Sequence, residues 1–446
     1  MNEDRSAGLG IADASLIVVG SIVGAGIFLV SGDVAKLVHS PAAFLATWLL
    51  GGAVALAGAL SNGELGGLFP RSGGEYVYLR EAYGPPLGFL SGWTSFWIAF
   101  PGSIASLAAG FGAAVAPLVG LGGIWGPKAI GASAIVLLTV VNALGLRPGS
   151  WTQNVLSLVK LVVFAALLAL ALLVHHDAPS GLTPFFAPGD RAGGIATALI
   201  PVLFAYSGWN AATYVAGEMR DPTRSLGRAL ALGTALCVAL YLAVNAAYLR
   251  ALPLQDLAVA NEPARAALAS LGGAPAVAVL GPLVAVCVLS SLQASVLVGP
   301  RIYQAMASDG LFFASLGRVS ERTHVPVVSL VVQGVISIVL LMSGRFDELV
   351  RFTMSAIIAF STLTVGAVVV LRLRRPDAPR AFRVPGYPWV PVLFVGVNVW
   401  MLWNVLTFGE ASPREALVGL AIVVTGVPVY LAFRARRNRR TSRSVV

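Results

Sequence analysis

About twelve apolar stretches, most near the roughly 20 residues a helix needs to cross a bilayer, recur along these 446 residues. A soluble fold has no place for so many, because each stretch needs a nonpolar surrounding on nearly every side. Backbone groups in lipid must be paired within the segment, so the stretches read as helices. A mean hydropathy of +0.83 and only 11% charged residues agree. The chain therefore reads as an all-α integral membrane protein with about twelve transmembrane helices. They lie near Ile11 to Val38, Pro41 to Phe69, Leu87 to Leu118, Pro127 to Leu144, Trp151 to Val174 and Gly194 to Gly217. The second half continues with Leu230 to Leu249, Pro275 to Tyr303, Val325 to Met342, Leu349 to Leu371, Trp389 to Phe408 and Glu415 to Phe433.

A net charge of +10 would suit a nucleic-acid binder, but its placement gives a membrane answer. Lys and Arg concentrate on the side that carries both termini, which the positive-inside rule makes cytoplasmic. A plasma membrane location is expected, with no nucleic acid as partner. Residues 1–10 form a short cytoplasmic tail without a basic region and cleavage site, so the first span should be retained. Residues 434–446 form a basic tail suited to anionic lipid. Cys237 and Cys287 both fall in spans and read as small buried residues rather than a disulfide or metal pair.

Two spans are interrupted. Gly20-Ser21-Ile22-Val23-Gly24-Ala25-Gly26 breaks the first, and Tyr206-Ser207-Gly208-Trp209-Asn210 breaks the sixth. Gly24 lies 13 residues after Ile11 and Gly208 lies 14 after Gly194, so the breaks sit at matching depth. Spans one to five (11–174) match spans six to ten (194–371) in length, and an odd number of crossings turns the second block upside down. That is the layout of a 5+5 inverted repeat, whose broken helices meet at a midplane substrate site. Residues 389–433 hold two extra spans outside it. A competing reading makes the glycines simple helix-packing contacts.

The residues at the breaks also carry a resemblance. Gly20 to Phe28, Glu64-Leu65-Gly66 and Pro70-Arg71-Ser72-Gly73-Gly74-Glu75-Tyr76 resemble the amino acid, polyamine and organocation (APC) superfamily. Phe204 to Asn210 leading to Glu218 and Asp221-Pro222, with Phe382 to Pro388, is similar to its L-type amino acid transporter branch and bacterial relatives. The resemblance implies the LeuT-like fold, alternating access and an α-amino acid substrate. The chain lacks the cysteine and long tails by which animal relatives engage a glycoprotein, so a bacterial source, an inner-membrane location and no obligate protein partner are expected.

An amino acid zwitterion needs an anion site and a cation site close together. Free N–H groups near Ala25 and Gly26, at the start of a half-helix, favour the carboxylate, with Gly24 beside them in the expected substrate site. Carbonyls near Ile22, Phe204, Ser207 and Gly208 can accept from the ammonium. By resemblance, Phe204 is an aromatic lid, and Trp209 and Asn210 border the substrate side chain. Ala25 stands where relatives commonly carry serine, so one carboxylate hydrogen bond is missing. Each aromatic also reads as packing, and Asn210 as an interhelical hydrogen bond.

Lys160 lies nine residues into span five, about 14 Å deep at 1.5 Å per residue. Ionisable groups at that depth are usually functional. By resemblance the ammonium stands where sodium-using relatives hold their ion, with partners expected at the span-one break and at Ser290 or Ser291. Tyr241 matches a tyrosine of the same network. Glu64, Glu75 and Glu218 are expected to brace span ends through Arg71, Arg80 or Arg220. His175, His176 and Asp177 lack further ligands at metal-binding spacing.

No nucleophile with a base, no metal cluster and no filter sequence is visible, so neither an enzyme nor a channel is expected. The expected function is sodium-independent transport of small neutral L-amino acids by exchange, with no cofactor. The alternatives are proton symport and, less favoured, a polyamine or dibasic substrate, which would want an acid in the pocket. None is visible there.

Overall fold

The apolar stretches fold into helices that stop and restart where glycine or proline interrupts them. The computed structural model describes residues 8–174, 182, 184–186, 189–344, 346–407 and 413–443. His175, His176 and Asp177 lie outside them. In chain order the helices are α1 (Ile11–Ile22), α2 (Gly26–Leu37), α3 (Pro41–Leu68), α4 (Glu75–Tyr83), α5 (Pro85–Thr94) and α6 (Phe100–Val115). Then come α7 (Trp125–Ala143), α8 (Leu146–Leu173), α9 (Ala192–Ala205), α10 (Pro222–Ala251), α11 (Leu254–Val259) and α12 (Pro263–Ala278). The last are α13 (Leu280–Val298), α14 (Pro300–Ser308), α15 (Val327–Ser343), α16 (Phe346–Arg374), α17 (Trp389–Thr407) and α18 (Pro413–Arg443).

Local signals set the starts. Ser40 caps α3 by accepting from the Ala43 N–H at 3.1 Å, with Pro41 in the first turn. Asp221-Pro222 opens α10 in the same way. A π-turn over Ser95–Ala99 joins α5 to α6, so the third span is continuous but locally widened.

Seven helices or joined helices among the described residues are long and apolar enough to cross a membrane, and the pair α1 and α2, bent by 52°, makes an eighth. Three further apolar helices are shorter. The chain is thus an all-helical, multi-pass membrane protein. Two features differ from the sequence reading. The connection before the eighth span, to which the sequence reading assigned no element, holds α11 and α12, and α18 continues to Arg443, so the basic tail extends the last helix.

Two packed bodies organise the bundle. The larger buries α1, α2, α3, α9 and α10 around Val18, Val19, Trp48, Tyr206 and Tyr241. The smaller packs α6, α7, α13 and α15 around Ile104, Ile135, Leu292 and Leu330. Small residues let the backbones close: Gly52 of α3 lies where a Cβ would meet Val238 of α10 at 2.7 Å.

Charge braces the ends of the bundle, but not through the pairs expected. Glu64, 1% exposed, accepts from Arg372 at 2.8 and 2.6 Å and from the Val384 N–H at 2.7 Å. Arg380 Nε adds charge at 3.2 Å from Glu64 without hydrogen-bond alignment. Arg372 also lies 3.8 Å over the Tyr387 ring. Glu64 therefore ties α3 to α16 and to the segment that leads into α17. Its expected partners are engaged elsewhere: Arg71 with Glu81, Arg80 with Glu81 and Asp309, and Arg220 with the Gly8 carbonyl. Sequence nearness failed here because a helix end faces whatever the tertiary fold brings to it.

Removing one partner of a buried ion pair leaves the other charge uncompensated, at a cost of about 3–5 kcal/mol. Glu64→Ala is expected to destabilise the protein by that amount, read as a lowered thermal or denaturant midpoint in detergent. A midpoint equal to wild type would show that the cluster is solvated and adds nothing.

Candidate functional site

The two breaks face each other across one cavity. α1 ends at Ile22 and α2 begins at Gly26, and among the described residues no acceptor takes the N–H of Ala25 or Gly26. The matching interruption follows α9: the chain turns over Tyr206 to Asn210 and resumes as a short 3-10 helix over Ala211–Glu218. Gly208 has a φ of 102°, and a Cβ there would lie 2.5 Å from the Ser21 Oγ. Only glycine combines that conformation with that approach. Gly26 also sits close to Ala205, where a Cβ would meet the alanine Cβ at 3.2 Å.

Three of the carbonyls freed by the first break, those of Gly20, Ile22 and Val23, are paired by side chains. Lys160, fully buried, donates to Gly20 O at 3.1 Å and to Val23 O at 2.9 Å. Ser291 donates to Gly20 O at 2.8 Å, with Val23 O at 3.5 Å. Tyr241 joins the breaks, its hydroxyl lying 2.9 Å from Ile22 O and 3.2 Å from Ala205 O. The serine expectation needs correction: Ser291 shares the lysine's acceptors rather than binding its ammonium. Ser290 points to Gln153, which donates to it at 3.3 Å, and lies 3.4 Å from Ser157.

The cavity has a volume of about 520 Å³. All nine residues anticipated for the substrate line it: Ile22, Gly24, Ala25, Gly26, Phe204, Ser207, Gly208, Trp209 and Asn210. Phe204 is 51% exposed and packs no ring among the described residues, so it flanks the cavity without closing it. Trp209 is buried against Phe394, with ring centroids 5.3 Å apart. The Phe204 carbonyl accepts from the Ser207 N–H at 3.0 Å, leaving it one lone pair for a ligand.

Two groups of lining residues were not legible. Ser91, Ser95, Ala99, Ser103, Ser106 and Gly110 line the wall at steps of three or four, a small and polar stripe along one face of the third span. Its spacing was visible in the sequence, though one such stripe is indistinguishable from a helix-packing face. The second is Glu75, which was read as a bracing residue. Instead it lines the cavity and accepts from Asn210 at 3.0 Å and Ser361 at 3.1 Å. An acid does stand in the pocket, contrary to the sequence reading.

The end of the bundle that holds the N-terminal segment is tied by charge and backbone contacts. Arg301, fully buried, grips Glu218 through two bonds of 2.9 and 3.1 Å. Leu9 pairs with Met219 as an isolated bridge, its N–H donating to Glu218 O at 2.9 Å. The third acid thus also finds a partner other than those expected.

A sequence model of amino acid permeases matches residues 9–429. The chain belongs to the amino acid permease family. This places it in the APC superfamily, as the motifs at the breaks indicated. It is 30% identical over 438 residues to the serine/threonine exchanger SteT of Bacillus subtilis, covering 96% of this chain and 97% of that protein. It is 30% identical over 435 residues to the rat b(0,+)-type amino acid transporter 1, covering 95% and 87%. It is 29% identical over 439 residues to the human large neutral amino acids transporter small subunit 2, covering 95% and 79%.

Lys160→Ala would leave two buried carbonyls with only Ser291. Losing charge-assisted bonds of about 1.5–3 kcal/mol corresponds to roughly a 10- to 100-fold loss of transport rate. Initial rates in proteoliposomes, normalised to incorporated protein, measure this. Wild-type rates in the variant would make the lysine a packing residue.

Proposed function

We propose that this chain exchanges small neutral L-amino acids across the plasma membrane by alternating access, without sodium. The observation that carries the reading is the pair of facing backbone breaks in one cavity. Unpaired N–H groups at Ala25 and Gly26 suit a carboxylate, and the carbonyl end of α9 suits an ammonium. These contacts read the part common to every amino acid. The names of the three relatives, an exchanger and two amino acid transporters, support the same class.

Lys160 supplies the argument against sodium. Its ammonium already neutralises the carbonyls of the first break, and a metal ion there would add repulsion. In this reading residues 11–174 and 194–371 form two inverted repeats of five spans, residues 389–433 add two more, and both termini are cytoplasmic. The Arg301–Glu218 clamp then belongs to a cytoplasmic gate, and the single chain carries transport without a protein partner. No cofactor or enzymatic step enters the cycle.

The test is uptake of radiolabelled L-alanine and L-serine into proteoliposomes in sodium-free buffer. Uptake should be at least tenfold faster when unlabelled amino acid is inside, and indifferent to added sodium. Equal uptake into empty vesicles would replace exchange with facilitated flux. Uptake into empty vesicles driven by a proton gradient would replace it with symport.

A further inference from the structure

One acid in the cavity wall has no task in the exchange reading. Glu75 starts α4 directly after Gly73 and Gly74, whose φ values of 120° and 51° fold the chain back against the 3-10 segment. A Cβ on Gly74 would lie 2.5 Å from the Tyr214 ring. The Gly73 N–H donates to Tyr214 O at 3.2 Å, fixing the turn. The carboxylate is thereby carried into the cavity wall, where the residue is 9% exposed.

Its two oxygens have different surroundings. Oε1 accepts from Asn210 Nδ2 at 3.0 Å and from Ser361 Oγ at 3.1 Å. Asn210 belongs to the turn that breaks the sixth span and Ser361 belongs to α16, so one oxygen ties three elements. Oε2 has no donor among the described residues and is the oxygen left for the cavity. No described Lys or Arg forms an ion pair with Glu75. The titratable groups that face it are the phenols of Tyr78 and Tyr214. The α5 residues in the same wall, Ser91 and Thr94, are neutral.

Among the described residues, the Arg side chains on the elements packed around it are engaged elsewhere. On α4, Arg80 holds Glu81 and Asp309; on α14, Arg301 holds Glu218; on α16, Arg372 holds Glu64 and Arg374 donates to Ala82 O. A buried carboxylate with no cation is costly in a low-dielectric site, and a bound proton is the simplest relief. Burial pushes Glu75 up to about 7, against the opposing hydrogen bonds from Ser361 and Asn210.

We propose that Glu75 is a proton-binding site in the wall of the substrate cavity, and that its protonation loosens the tie between the span-six turn, α4 and α16. A hydronium ion in the cavity gives its proton to Oε2 and leaves as water. The neutral acid then accepts more weakly at Oε1, because bonds to a carboxylate are about twice as strong as neutral ones. The turn that must move in alternating access is held less firmly, so exchange is faster at low pH. The inference rests on reading this cavity as the transport route.

Two measurements test it on purified full-length protein. In proteoliposomes with equal pH on both sides, wild-type alanine exchange should slow about tenfold from pH 5.5 to 8.5. Glu75→Gln keeps both Oε1 bonds without the charge, so its rate should stay within about twofold over that range. Ser361→Ala removes one bond that favours the ionised form, so its profile should keep its shape and move to higher pH. The second readout needs no transport. A group raised in the folded state from 4.5 to about 7 destabilises the fold progressively as pH rises through that window. The wild-type thermal midpoint should therefore fall below that of Glu75→Gln between those values and hold a constant gap above them.

A wild-type exchange rate and a midpoint gap that both ignore pH would overturn the proposal. So would an unchanged pH profile in Glu75→Gln together with loss of competition by L-lysine, which would make the carboxylate a site for a substrate's cationic side chain. Absence of any amino acid exchange, with the midpoint gap still following pH, would instead overturn the transport reading and leave the proton site standing.

Discussion

A helix cannot be interrupted inside a bilayer unless the freed backbone groups find other partners, and the structure is arranged around that requirement. The break between α1 and α2 frees the carbonyls of Gly20, Ile22 and Val23. Lys160 from α8, Ser291 from α13 and Tyr241 from α10 pair them. Three helices are held against α1 by bonds to its backbone, which fixes where the break stands without fixing what lies in the cavity. Side chains pair these carbonyls and leave the N–H groups of Ala25 and Gly26 open. The break is thus satisfied on one face and receptive on the other.

The second break depends on the first. Gly208 lies against Ser21 and Gly26 against Ala205, close enough that side chains on the glycines would separate the segments. Tyr241 reaches both through Ile22 O and Ala205 O, and Trp48 and Tyr206 pack edge to face beside it. A motion of one break must therefore carry the other. Ties to the rest of the wall include polar ones, where Asn210 and Ser361 meet at Glu75 and Arg301 meets Glu218, beside the ring contacts of Trp209 with Phe394 and Tyr214 with Phe100. Polar contacts of this kind can open and re-form, whereas the apolar contacts inside each body resist it.

What could be read from the sequence was whatever a single segment states by itself. Glycine clusters inside apolar stretches announced the breaks, and a lone charge at depth announced Lys160. Glu75 was misread because its setting is made by three distant segments: the Gly73-Gly74 turn, Asn210 after the sixth-span break, and Ser361 on α16. Glu64 failed for the same reason, since Arg372 and Arg380 are more than 300 residues away in the chain while Arg71 is seven. Partners of ionisable groups are a property of tertiary placement, and neither spacing nor nearness encodes it. The serine stripe on the third span had the right period but no local feature to set a cavity wall apart from a helix contact.

The receptive face of the first break also explains why exchange is the mode that this cavity favours. Among the described residues no protein group accepts from the N–H groups of Ala25 and Gly26, so in an open, empty cavity their pairing falls to water. Closing the cavity around them without a ligand removes that water and leaves two donors unpaired, at about 1–3 kcal/mol each. In the proposed binding mode a carboxylate fills both positions, and an ammonium on the α9 carbonyls completes the pairing across the gap. The loaded protein can then close without that penalty, while the empty one meets an added barrier of about 2–6 kcal/mol, roughly a 30- to 25,000-fold slower return. A carrier that returns slowly when empty moves one amino acid only by taking another back. The same groups proposed to recognise the substrate would therefore couple its inward and outward passage.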